Sequence, residues 1–163
     1  MKLENVEDLL QDIFEVSEQG LEIEKFWLET TKILYTAIAQ ADDLLVIQTE
    51  SERYEGCQPY LQICYEDDRA MTIEAVSNKF LDQPLSIDAQ NTMAELGWTL
   101  SDEEGLPNYM QFLIRENADS MVIAQLFAKT LRDVYGISTS DSIAISKRTG
   151  FWPKDNEDSF NDK

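Results

Sequence analysis

The stretch ELGWTLSDEEGLPNYMQFLI, residues 95–114, decides how the chain is read. An apolar approach stops at Gly97, Trp98 sets a new direction, an acidic loop intervenes, and apolar residues return in alternation. Glycine enters the left-handed backbone region without a Cβ penalty, so Gly97 is the expected stop of a helix. Trp98 and Leu100 then begin a strand and SDEEGLP turns the chain. NYMQFLIRE returns as a second strand, with Met110, Phe112 and Ile114 on one side against Gln111 and Leu113. The stretch reads as a helix-to-hairpin corner.

Upstream of the corner, Ser86 is a suitable N-cap for a helix running to Leu96, with Ala89, Met93 and Leu96 on one face, and Pro84 discourages helix just before it. Earlier still, DLLVIQTE (43–50), PYLQICYE (59–66) and AMTIEAVS (70–77) carry period-two alternation and β-type residues, as an antiparallel meander requires. EDDR makes a tight turn between the last two, and SERYEGCQ a longer connection between the first two. The run LEIEKFWLETTKILYTAIAQA (21–41) places Ile23, Phe26, Trp27, Thr30, Leu34, Ala37, Ile38 and Ala41 at steps of three and four, which predicts a long helix. Residues 3–17 predict a shorter one, ended by Gly20 and a candidate lid over the sheet.

Downstream, a helix is expected over about residues 118–135, N-capped by Asn117 and closed by Gly136, with Ile123, Phe127, Leu131 and Val134 along one edge. Beyond it periodicity fades into a polar, charged run. The expected fold is α+β with an antiparallel five-stranded sheet. The expected organisation is an extra helix at 1–20, one domain at 21–149 and an acidic flexible tail at 150–163.

At 163 residues with 43% hydrophobic content the chain suits one domain with a real core. Its 32 acidic against 13 basic residues give −19, a field that repels phosphate backbones and anionic membranes, so neither nucleic acid nor membrane is an expected partner. No apolar run is long enough to span a bilayer, and MKLENVEDLL lacks the pattern of an export signal. Cys57 and Cys64 have no CxxC spacing and the chain has no histidine, which argues against a zinc site or a cysteine nucleophile and suits reduced thiols in the cytoplasm.

Phosphate-loop and dinucleotide-binding glycine patterns are missing, so no cofactor, metal or catalytic residue is expected. Asp67-Asp68 reads as a turn and Asp102-Glu103-Glu104 as a solvated loop. Trp98, Tyr109, Phe112, Phe127 and Trp27 read either as core between helix and sheet or as the lining of an apolar peptide groove, since aromatic residues are good anchors, and Trp98, Tyr109 and Phe112 are the candidates taken for the groove. Leu45, Leu61 and Tyr65 join them as a semi-exposed apolar patch that a client peptide or a second subunit would cover.

The order α-β-β-β-α-β-β-α, once the first helix is set aside, resembles the type III secretion chaperone fold and its YbjN-like relatives. The likeness is carried by LLVIQTE, YLQICYEDDRAMTIEAVS, DQPLSIDAQNTMAELGW and LPNYMQFLIRE, within about residues 22–135. It is similar above all to the YbjN-like peptide-binding group, in which a helix ends in Leu-Gly-Trp and a proline and an Asn-aromatic pair open the next strand. Here those are Leu96, Gly97, Trp98, Pro107, Asn108 and Tyr109, with TLSDEEGL making a longer interval before the proline. The resemblance implies a non-enzymatic bacterial protein that binds polypeptide segments, often as a homodimer, and keeps a client soluble or export-competent. Two other readings follow from the residues: an acidic decoy for a basic site on a nucleic-acid-binding protein, and, further off, an enzyme built on paired carboxylates.

Overall fold

A computed structural model describes residues 18–67, 69–101 and 105–148. The short helix expected over 3–17 and the tail from 150 lie outside them. The order is α1 (Glu18–Gln40), β1 (Leu44–Glu50), β2 (Tyr60–Tyr65), β3 (Ala70–Ala75), α2 (Ile87–Glu95), β4 (Thr99–Leu100), β5 (Tyr109–Ile114), α3 (Ser120–Lys129, continued by a π-helical turn, Thr130–Val134) and β6 (Ser142–Arg148). The described strands form one antiparallel sheet in the order β4-β5-β3-β2-β1-β6.

That sheet has six strands where five were expected. The added one is β6, seven residues long, which pairs along the whole of β1 from Leu44↔Arg148 to Glu50↔Ser142. Its Ile143 and Ile145 pack on the core. Gly20, expected to end a helix, lies inside α1. A glycine there costs about 1 kcal/mol against alanine, too little to stop a helix that the apolar stripe behind it holds in place.

Residues directly opposite in an antiparallel ladder share a face. One face therefore carries Leu45, Ile47, Leu61, Ile63, Met71, Ile73 and Ala75, all buried. The helices cover it: Trp27, Leu34 and Ile38 of α1 and Ile123, Phe127 and Leu131 of the α3 segment complete a single core with it. Ile23, placed on the expected stripe, is 40% exposed at the start of α1.

The corner at Gly97 is built as a helix-end motif with two reversed bonds. Gly97 N–H donates to Ala94 O at 3.0 Å and Trp98 N–H to Met93 O at 3.1 Å, with Gly97 at φ +89°. At the other end Ser86 Oγ accepts from Ala89 N–H at 3.1 Å, as its cap assignment required. Trp98 then points into the core, stacks on Phe127 with ring centroids 6.3 Å apart, and donates from Nε1 to Thr130 Oγ1 at 3.0 Å.

The cap of α3 is Asp119 rather than Asn117, which sits in a 3-10 turn, Arg115–Asn117. Asp119 has extended backbone, and its carboxylate accepts from Met121 N–H at 2.8 Å and Val122 N–H at 3.4 Å, satisfying donors that a helix start leaves bare. At the far end the π turn carries Tyr135 inward, where its hydroxyl donates to Val76 O and its carbonyl accepts from the Tyr54 hydroxyl, each at 2.7 Å. Gly136, at φ +66°, then closes the segment as expected.

Thr130→Val keeps the shape of a fully buried side chain but leaves the Trp98 Nε1–H without its acceptor. The expected loss is about 1–3 kcal/mol in urea-unfolding free energy, against at most about 0.5 kcal/mol for Thr36→Val on the exposed side of α1, whose hydroxyl bonds only within its helix.

Candidate functional site

The second face of the sheet has no helix over it among the described residues. Cross-strand pairing arranges it in rows: Leu44, Cys64, Thr72 and Phe112 in one, Val46, Gln62, Glu74, Met110 and Thr99 in the next, Gln48 and Tyr60 beyond. At β6 the same rows end at the register positions of Arg148, Ser146 and Ala144. A groove of about 490 Å³ runs over this surface, lined by Leu44, Val46, Cys64, Glu74 and Met110, with Gly105 and Leu106 of the β4–β5 connection at one side. A hollow of about 610 Å³ adjoins it through Gln48 and Tyr60.

Five of the six expected binding residues stand elsewhere. Leu45, Leu61 and Tyr65 belong to the helix-covered core, at 0, 0 and 9% exposure, so they form no semi-exposed patch. Trp98 and Tyr109 are buried in the same core. Phe112 alone is at the surface, 69% exposed, beside Ile114 at 61%. The reason is the direction of β5. Tyr109, Gln111 and Leu113 oppose Ala75, Ile73 and Met71 of the core face, which turns Met110, Phe112 and Ile114 outward.

What composes the second face was visible in the same runs: Leu44 and Val46 alternate with Leu45 and Ile47, and Gln62 and Cys64 with Leu61 and Ile63. Leu44, Val46 and Met110 are only 5, 8 and 6% exposed although they stand outside the core cluster. Strands β1, β2, β3 and β5 contain no lysine or arginine. Glu74 lies in the middle of the face, half-buried, and accepts from Gln62 Nε2. Burial pushes its carboxyl above the usual carboxylate range. Glu66, at the end of the groove, accepts from Thr72 Oγ1 at 2.9 Å.

The Cys64 thiol is pushed up by burial first, then by the carboxylates of Glu74, Glu66 and Asp43, so it is a weak nucleophile. Cys57 is raised by burial and by Asp82, and both thiols are free. Asp67 shapes the β2–β3 turn: its carboxylate accepts from the backbone N–H groups of Arg69 and Ala70, at 2.6 and 2.8 Å, which hold it below its ordinary range. Among the described residues no group of three histidine, cysteine or carboxylate side chains is placed to hold a metal ion. No described helix is long and apolar enough to cross a membrane.

Helices packed on one face of an antiparallel sheet, with the corner Leu96-Gly97-Trp98 feeding its outer hairpin, define an α+β domain of the type III secretion chaperone kind. The family described as T3SS (YopN, CesT) and YbjN peptide-binding chaperone 3, TY-Chap3, matches residues 21–149, and the chain belongs to it. Comparison with curated proteins gave no match, and neither did comparison with solved structures.

The raised Glu74 carboxyl fixes the sign of a pH effect. A group whose folded pKa lies above its unfolded value favours folding while protonated, and that contribution is lost as pH rises through the folded pKa. Glu74→Gln removes the loss and keeps a hydrogen-bonding partner for Gln62, so its melting temperature should exceed that of the parent at pH 7 and match it more closely at pH 4.

Proposed function

We propose that the protein is a non-enzymatic chaperone or adaptor that holds a segment of a client polypeptide against the second face of its sheet. The observation that carries this is a groove with apolar side chains at both flanks, Leu44 and Val46 on β1 and Met110 on β5, and polar groups between them, with the exposed Phe112 beside it on the same face, opposite Thr72. Membership of a peptide-binding chaperone family supports the class of activity. The chemistry of the face selects among clients. With Glu74 and Glu66 in or beside the groove and no basic residue on the four central strands, it suits a segment that offers apolar side chains and one or two cationic ones.

Phe112, 69% exposed, is the apolar anchor left to be desolvated on this face, and the carboxylates choose the sign of the partner's charge. Two separate thiols suit a reducing compartment, which supports a cytoplasmic setting. A second copy of the chain bound across the same face would make a homodimer that competes with the client.

Immobilised protein should retain apolar, lysine-bearing peptides and discriminate against the same peptides with glutamate in place of lysine. Phe112→Asp and Glu74→Lys should each weaken retention about tenfold or more, close to 1.4 kcal/mol, with the fold unchanged by circular dichroism. Retention that survives 0.5 M salt is expected, because an apolar contact is not screened. Binding that vanishes at that salt and ignores Phe112→Asp would instead favour the acidic decoy, which the charge of −19 would otherwise recommend.

A further inference from the structure

The chain itself contains a segment with the chemistry that this face would take. From Ser142 to Lys154 there is no carboxylate, in a protein with 32 of them, and KRTGFWPK at 147–154 combines three basic residues with Phe151, Trp152 and Pro153. We propose that residues 149–154 dock on the second face of their own sheet, over Leu44 and Cys64, and that a client must displace them. The inference rests on the reading of that face as the binding surface.

Three observations converge on this occupant. Strand β6 ends at Arg148, whose register partner is Leu44, and Leu44 in turn pairs with Cys64 on β2. The segment therefore starts in line with the row it would cover. Strands lie about 4.8 Å apart, so Cys64 is about 10 Å across from the end of β6, while four extended residues reach about 14 Å. Trp152 can span the distance. The charge agrees: Glu66 and Glu74 adjoin that row, and the central strands carry no cation of their own.

The other terminal segment fits less well. Residues 3–17 hold five carboxylates and no basic side chain, so they would bring like charge to Glu66 and Glu74. They also join the structure at Glu18, on the helix layer, which covers the opposite face.

Cys64 is a reporter in place. In a Cys57→Ser background the rate at which Cys64 reacts with a disulfide reagent should rise about tenfold when the chain ends at Arg148, as expected for a segment docked about nine-tenths of the time. Trp152→Ala in the full chain should give most of that rise, Phe160→Ala little, and the full-chain rate should not change with protein concentration. Equal rates in the full chain, the shortened chain and Trp152→Ala, all with native circular dichroism, would overturn the proposal. So would a rise produced by removing residues 1–17 instead, or protection that grows with concentration, which would mean a second copy. Peptide retention lost on Phe112→Asp alongside unchanged Cys64 rates would reject the docked segment and leave the binding face standing. No retention by any variant would remove the face itself.

Discussion

The register of β5 against β3 is the constraint on which the rest of the molecule depends. A strand's side chains alternate between faces, so a slip of one residue would exchange Tyr109, Gln111 and Leu113 for Met110, Phe112 and Ile114. The exchange is prevented at one end of the pair. Asn108 is 5% exposed; its Oδ1 accepts from Ser77 N–H at 3.2 Å and its Nδ2 donates to the Tyr60 hydroxyl at 3.0 Å. Ser77 Oγ donates to Pro107 O at 2.5 Å. Three strand ends are thus tied by polar side chains, and each buried group left without a partner would cost about 1–3 kcal/mol. The corner at Gly97 and Trp98 does the same from the other side, fixing where β4 begins.

These contacts recast the motif residues. Trp98, Asn108 and Tyr109 turn inward, Leu96 packs against the core, and with Gly97 and Pro107 at the bends they hold the hairpin in register. They determine what the second face presents without lining its groove. The two faces of the same strands differ: one is filled by α1, α2 and α3, and the other, the proposed binding face, collects side chains that the helices do not use.

The meander, the long helix and the helix-to-hairpin corner were legible because each has its own period and its own stop. The direction of β5 was not, since YMQFLI is apolar on both sides and alternation alone cannot say which side is covered. What decides it is Asn108, whose partners, Ser77 and Tyr60, lie far off in sequence. β6 escaped notice for a related reason: SIAISKR is small and polar between its isoleucines, and its partner β1 lies nearly a hundred residues upstream. The candidate site followed the aromatics, and aromatics are attracted to cores as strongly as to interfaces. Trp98 went to the core, where Thr130 accepts its N–H.

On the proposed reading, a face that takes a client beside the exposed Phe112 carries a hazard, because exposed apolar side chains also attract wrong partners. A tethered segment of matching chemistry limits it. Its effective concentration is on the order of millimolar for a short connection, so a modest intrinsic affinity keeps it docked. The same equilibrium sets a threshold: a segment docked nine-tenths of the time weakens every client by about tenfold, near 1.4 kcal/mol. Weak, nonspecific apolar sequences then fall below useful affinity, while a client that combines apolar anchors with a cation for Glu74 stays above it. On the docked-segment proposal, the basic-aromatic run after β6 and the carboxylates of the groove act together, the first excluding what the second cannot recognise.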